Sequence, residues 1–158
     1  MIQPRVLTIR AYRPEDFETL WQIDQACFVR GISYSRRELA FYVARKRGFT
    51  LVAERNGEIR GFVMADRDRK QQGHIITVDV LPEVRRTGLG SRLMAAAEER
   101  LRELGCTAVI LEVAVDNATA LAFYKRHGYA VTGTIPRYYL DSIDALVLAK
   151  QLAPAKQC

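Results

Sequence analysis

Val78-Asp79-Val80-Leu81-Pro82-Glu83-Val84-Arg85-Arg86-Thr87-Gly88-Leu89-Gly90-Ser91 passes from an apolar strand into a basic turn with two glycines and on into a helix. The first N–H groups of a helix lack intrahelical acceptors, the helix dipole adds partial positive charge there, and glycine lets an anion approach the backbone closely. Arg85, Arg86 and Arg92 add full charges beside them. The stretch Arg85, Arg86, Thr87, Gly88, Leu89, Gly90, Ser91 is therefore a candidate phosphate cradle. Two commoner phosphate loops do not fit it. A Walker A loop needs a Gly-Lys-Ser/Thr ending that is missing here. In a dinucleotide fingerprint begun at Gly88, the third glycine would fall at position 93, which is Leu93. What remains is Arg85-x-x-Gly88-x-Gly90, for which a plain tight turn with solvated arginines is the alternative reading.

Working outward, the pattern predicts a strand over Val6 to Arg10 and a helix opened by Pro14 with Phe17, Leu20, Trp21 and Phe28 on its apolar face. Ser35-Arg36-Arg37-Glu38 has the form of a capping box and predicts a second helix running towards Arg47. Phe49 to Arg55 and Glu58 to Asp66 flank Asn56-Gly57, the dipeptide favoured in a two-residue hairpin because both positions need positive φ. Gly73 to Leu81 is the next strand. The helix after Gly88 carries Leu89, Leu93, Ala96, Ala97, Leu101 and Leu104 on one face and stops at Gly105. Ala108 to Val115 is a strand again, so this segment forms a right-handed βαβ crossover with parallel strands. Asp116-Asn117 opens a short helix ending near His127-Gly128, and strands over Tyr129 to Ile135 and Asp144 to Lys150 follow. The expected fold is a mixed α/β sheet of about seven strands with four helices.

The 158 residues suit one domain, expected to span 1–152, with a flexible tail over 153–158. The longest nearly apolar run, Ala108 to Val115, is far too short for a membrane helix and contains Glu112. Met1 to Tyr12 has no apolar segment of secretory length, and Cys27, Cys106 and Cys158 are odd in number and widely spaced, so the expected setting is cytoplasmic and reducing. Neither His74 nor His127 has a helical i, i+4 histidine partner, and no metal is expected; His127 suits a helix end. The net charge of +6 fits nucleic acid, an acidic partner or an anionic cofactor. Basic residues cluster mostly at predicted element ends, with no known nucleic-acid-binding motif beside them.

The hexapeptide Arg85-x-x-Gly88-x-Gly90, within this order of elements, resembles the acetyl-CoA pyrophosphate loop of the GNAT N-acetyltransferases, and the resemblance spans nearly the whole chain. It is nearer to the ribosomal-protein alanine N-acetyltransferases through Leu111-Glu112-Val113, through Asn117-Ala118 with Ala120-Leu121-Ala122-Phe123-Tyr124, and through Arg137-Tyr138-Tyr139 followed by Asp144-Ala145. It implies a single-domain enzyme that moves an acetyl group from acetyl-CoA to the α-amine of a protein N-terminus. By the same resemblance the two central parallel strands splay, the pantetheine arm bonds to the backbone around Val78, Asp79 and Val80, and the Val80 N–H polarises the thioester carbonyl.

Acetyl transfer needs a neutral amine, stabilisation of an oxyanion and a proton for the thiolate. Glu112 is the candidate base: strand alternation places it with Ile110 and Ala114, where partial desolvation would raise its pKa towards the working pH. A structural acceptor that bonds a neighbouring loop or the substrate's ammonium is its other reading. Tyr124 matches the tyrosine that protonates the thiolate in the family; otherwise it is a packed aromatic. Asn117 would contact the cofactor, cap a helix, or do both. Tyr34, Tyr138 and Tyr139 would line the acceptor pocket. Here the chain departs from the alanine acetyltransferases, which tend to have Pro-Trp-Ser where this chain has Ser33-Tyr34-Ser35, so the acceptor stays open. The alternatives are a lysine or small-molecule amine acetyltransferase of the same fold, an idle acyl-CoA sensor, and a basic nucleic-acid-binding module.

Overall fold

The computed structural model describes residues 6–29 and 31–154, beginning with strand β1 (Leu7–Ala11), a 3-10 turn at Pro14–Asp16 and helix α1 (Phe17–Cys27). Helix α2 (Arg36–Val43) opens on the expected capping box, with the Ser35 hydroxyl accepting from the Glu38 N–H and the Glu38 carboxylate accepting from the Ser35 N–H, both at 3.1 Å. It ends at Val43, short of the expected Arg47. Arg45-Lys46-Arg47 has no apolar side chain to bury, and the chain closes there into a turn in which the Gly48 N–H donates to the Arg45 carbonyl at 3.1 Å.

Strands β2 (Gly48–Arg55) and β3 (Glu58–Arg67) form the predicted hairpin, with Asn56 and Gly57 at φ of 55° and 78°. Strand β4 (Gln72–Val80) runs antiparallel to β3 and leads through the glycine turn into helix α3 (Leu89–Glu103). Strand β5 (Ala108–Ala114), helix α4 (Ala118–Arg126), and strands β6 (Ala130–Tyr139) and β7 (Ile143–Gln151) complete the chain. The sheet order is β1-β2-β3-β4-β5-β7-β6, with β4 and β5 the parallel pair, which is the mixed α/β sheet with four helices that the sequence predicts. Strand β6 runs on to Tyr139, beyond the expected Ile135. The Arg137 N–H donates to Asp144 Oδ1 at 2.9 Å across an irregular stretch of the ladder, so Tyr138 and Tyr139 stand on a strand end.

Two layers of helix cover the sheet. Leu89, Leu93, Met94 and Leu101 of α3 pack against Val63, Ile75, Val109 and Leu111 on one face, while Leu20, Ile23 and Leu39 pack against Val52, Phe62 and Met64 on the other. The buried Glu98 ties α3 to the far strands: Lys150 donates to its Oε1 at 2.7 Å and the Tyr129 hydroxyl to its Oε2 at 2.9 Å. Of the expected tail, 155–158 lies outside the described residues; the Ala153 carbonyl accepts from Arg102 Nε at 2.8 Å. Among the described residues no helix is long and apolar enough to cross a membrane.

Two departures from a regular sheet position the site. Strands β4 and β5 pair only over Gln72–His74 and Ala108–Ile110, although β4 continues to Val80 and β5 to Ala114. Beyond His74 they part, leaving a wedge-shaped gap at the C-terminal end of both. Strand β4 also carries one extra residue, Ile76, between the partners of Ala65 and Met64. Such a bulge reverses side-chain alternation. Ile75 packs under α3, whereas Thr77 and Asp79 stand opposite Met64 and Phe62 and turn towards α1.

Candidate functional site

The turn between β4 and α3 is a concave row of donors. Arg86 and Gly88 hold positive φ, 64° and 84°, and Gly88 is the N-cap of α3. The N–H groups from Arg86 to Ser91 have no backbone acceptor among the described residues, which leaves six backbone donors along the turn for an anion. The Leu89 side chain is buried beneath them, leaving only its N–H to the cradle. Thr87 turns its hydroxyl inward to the Val84 carbonyl at 2.6 Å, and Arg85 Nε donates to the Val80 carbonyl at 3.0 Å. Ser91 Oγ lies 2.9 Å from His127 Nε2. Burial lowers the His127 pKa below its ordinary value, so the ring favours its neutral form beside that hydroxyl. The row of donors suits a pyrophosphate, whereas Arg92, expected beside it, donates instead to the Leu7 carbonyl at 3.4 Å.

The gap continues from this cradle. The Leu81 N–H donates to the Arg60 carbonyl on the β3 side at 3.0 Å. By strand alternation the peptide groups of Val80 and Val78 point the other way, into the gap, and those of Asp79 point to β3. In the gap the Val80 carbonyl accepts from Cys27 Sγ at 3.3 Å as well as from Arg85. Burial pushes the Cys27 thiol up to about 11, so it stays protonated and is no nucleophile at neutral pH.

Glu112 stands on β5 across the gap from β4, with a partner absent from the sequence reading. His74 Nε2 is 2.7 Å from Glu112 Oε2, and its Nδ1 is 3.6 Å from Asp66 Oδ1, itself paired with Arg45 at 3.1 Å. Burial pulls the imidazole pKa down, but the bonds to Asp66 and Glu112 outweigh it and raise the pKa to about 9. At pH 7 the ring is a cation that donates through Nε2 to Glu112 and sits in ion-pair range of Asp66 through Nδ1. Glu112 therefore has one oxygen bound to an imidazolium and Oε1 left free among the described residues. The signal for His74 lies in the register: its parallel pairing with Ile110 puts it two residues from Glu112 on one face, a register that spacing along the chain does not show.

Tyr124 lies on α4, its ring edge-on to Phe123 and Tyr129 with centroids 5.3 and 6.0 Å away. Burial raises its hydroxyl above the ordinary tyrosine range, so it keeps its proton. Asn117 is the N-cap of α4, its side-chain oxygen accepting from the Ala120 N–H at 3.1 Å. On the acceptor side the Tyr34 backbone is held three ways: its N–H donates to Asp24 Oδ2 at 2.6 Å, and its carbonyl accepts from Gln25 at 2.7 Å and Trp21 at 3.1 Å. Its ring packs on Tyr42 at 5.2 Å, and Tyr138 meets Tyr139 edge-on at 4.8 Å. A Cβ on Gly31 would lie 2.5 Å from Leu140 Cδ2, so the β6–β7 turn rests against the α1–α2 loop. Asp24 is a second residue the sequence reading passed over, being one polar position in an otherwise ordinary helix.

The model of the acetyltransferase (GNAT) family matches residues 17–129. Over 151 residues, 95% of each chain, the protein is 31% identical to an uncharacterized N-acetyltransferase of Methanocaldococcus jannaschii. It is 33% identical over 113 residues to the N-alpha-acetyltransferase of Sulfurisphaera tokodaii, covering 64% of this chain and 68% of that one. The crystal structure of the ribosomal-protein-S18-alanine N-acetyltransferase from Escherichia coli shares the fold, with a TM-score of 0.84 over 96% of this chain and 97% of that one at 23% identity. Matched by the family model over most of its length, and carrying the parted strands beside a glycine-turn helix, this chain belongs to the GNAT family of acetyl-CoA-dependent N-acetyltransferases.

Proposed function

We propose that the acceptor is the α-amine of a protein N-terminus in the cytoplasm, acetylated by direct attack on the thioester. The observation that carries this reading is the setting of Glu112, which has His74 on one oxygen, the other free among the described residues, and the paired tyrosines of β6 near it. An α-ammonium has a pKa of about 7.7–8.0, against about 10.4 for lysine, so part of it is already neutral at pH 7 and it asks little of a base. The relative named as an N-alpha-acetyltransferase supports the same choice.

In this reading acetyl-CoA lies with its pyrophosphate on the N–H groups of residues 86–91, its pantetheine arm along Val78, Asp79 and Val80 and beside Asn117, and its thioester carbonyl at the Val80 N–H. The acceptor enters between Tyr34, Tyr138 and Tyr139, whose hydroxyls bond the peptide's first residues. Its ammonium gives a proton to Glu112 Oε1, directly or through water. The free amine attacks, the C–S bond breaks, Tyr124 donates its proton to the departing sulfur, and the proton that the nitrogen sheds on becoming an amide returns the Tyr124 hydroxyl to its neutral form, while Glu112 releases its own to solvent. Fragmentation mass spectrometry of peptides that carry both a free N-terminus and an internal lysine, incubated with acetyl-CoA, tests the choice of amine. Acetyl on the α-amine, lost in Tyr124→Phe, is expected; acetyl on lysine alone would assign a side-chain acetyltransferase instead.

A further inference from the structure

Asp24 on α1 and Asp79 on β4 are 0% and 1% exposed, and the mechanism above uses neither carboxyl. Each has one oxygen satisfied: Asp24 Oδ2 by the Tyr34 N–H, and Asp79 Oδ1 by the Thr77 hydroxyl at 2.5 Å. The other two, Asp24 Oδ1 and Asp79 Oδ2, have no donor among the described residues, and each carboxyl is the other's charged neighbour inside the fold. Two carboxylates facing across a dry contact cannot both be ionised at bearable cost; one proton between them removes the repulsion and supplies the missing donor.

We propose that Asp24 and Asp79 are a positioning pair that shares one proton at neutral pH, and that this proton clasps the loop carrying Tyr34 to the cofactor strand β4. The geometry is continuous, running from the Tyr34 N–H through Asp24 and the shared proton to Asp79, next to Val80. Burial first, and each carboxyl's neighbour second, hold the Asp79 carboxyl far above the usual carboxylate range. The groups facing the pair are Arg85, which favours ionisation, Glu38 on α2, which opposes it, and the protonated Cys27, Tyr34 and Tyr124, none of which is a cation. When the proton leaves, two buried charges push α1 from β4 and the acceptor-side loop slackens. The acceptor KM then rises, while kcat, set by Glu112 and Tyr124, moves less. The inference rests on reading the Tyr34 loop as the acceptor wall, and it holds whichever amine is acetylated.

Asp24→Asn is the diagnostic variant, because its amide oxygen can accept from the Tyr34 N–H and its NH2 can donate permanently to Asp79. Difference infrared spectra of the full chain at pH 7 are expected to show the carbonyl stretch of an un-ionised carboxylic acid in the native protein and none in Asp24→Asn. Acceptor KM is then measured against pH for both, as the ratio of native to variant, in which ionisation of the acceptor amine cancels. The ratio is expected to rise with pH as the native pair loses its proton. Asp24→Ala, which removes the clasp, is expected to raise acceptor KM by about 10- to 100-fold. Absence of the acid band from the native protein at pH 7, or a KM ratio flat with pH, would overturn the proposal even if Asp24→Ala does not fold. An enzyme that acetylates only lysine would refute the N-terminal reading yet leave both the band and the ratio in place.

Discussion

Glu112→Gln is expected to lower kcat/KM for acetyl transfer by about 10²- to 10⁴-fold, the span that a positioned general base contributes. The variant keeps the volume of the side chain and removes its capacity to take a proton, so the loss should fall on kcat, with acetyl-CoA affinity little changed. The deficit should narrow as pH climbs past about 8, where the α-amine of a peptide supplies its own neutral form. The same change acts on His74, whose pKa near 9 depends on both Asp66 and Glu112. His74 is raised above its ordinary value of 6.5, so its contribution to stability is complete below about 6.5 and is lost as pH rises through about 9. Removing the Glu112 charge shrinks that window from its upper end. Thermal unfolding of the two proteins at several pH values reads this directly: the native advantage should be largest near pH 6 and fade towards pH 9. A kinetic deficit that stays constant with pH would remove Glu112 from the base role.

Gly90→Val is expected to weaken acetyl-CoA binding by roughly 10²-fold, the loss of two charge-assisted hydrogen bonds at about 1.5 kcal/mol each. An added Cβ at Gly90 would lie 3.4 Å from Phe123 Cζ and 3.6 Å from Val80 Cγ2, so alanine fits with a small adjustment, whereas a branched side chain must displace Phe123 or reach over the cradle. Gly88 is constrained differently. Nothing lies within 4 Å of its Cβ position, and the demand there is on the backbone, at φ of 84°. Titration calorimetry should show the Gly90→Val defect with acetyl-CoA and not with an acetyl-pantetheine thioester, which lacks the pyrophosphate. An equal loss for both donors would place the pyrophosphate elsewhere.

Features governed by a few neighbouring residues were legible in the chain. Asn56-Gly57 needs only two positive φ angles to turn a hairpin, Ser35 and Glu38 need only each other, and Gly88 marks the turn into α3 through its positive φ alone. What escaped depends on register between strands distant in sequence. His74 meets Glu112 because Gly73 pairs with Val109, and Asp79 faces Asp24 because the single extra residue Ile76 reverses alternation in β4. Period-two reading of Val78-Asp79-Val80 cannot reveal that reversal, since the bulge lies upstream. The boundary errors have a similar origin. Strand β6 reaches Tyr139 because Asp144 on the next strand holds Arg137, and α2 stops early because Arg45 to Arg47 offers the core nothing.

The central claim is that a peptide α-amine and the acetyl-CoA thioester meet in the gap between β4 and β5. A conjugate joining CoA through an acetyl linker to the α-nitrogen of a short peptide places both halves there at once. Its dissociation constant, compared with those of CoA, of the peptide, and of the isomer linked through a lysine side chain, is the most direct test. The account predicts that the α-linked conjugate binds at least 10²-fold tighter than either half, by effective concentration alone, and tighter than its lysine-linked isomer. A conjugate that binds no better than CoA, or an isomer that binds better through lysine, would contradict it.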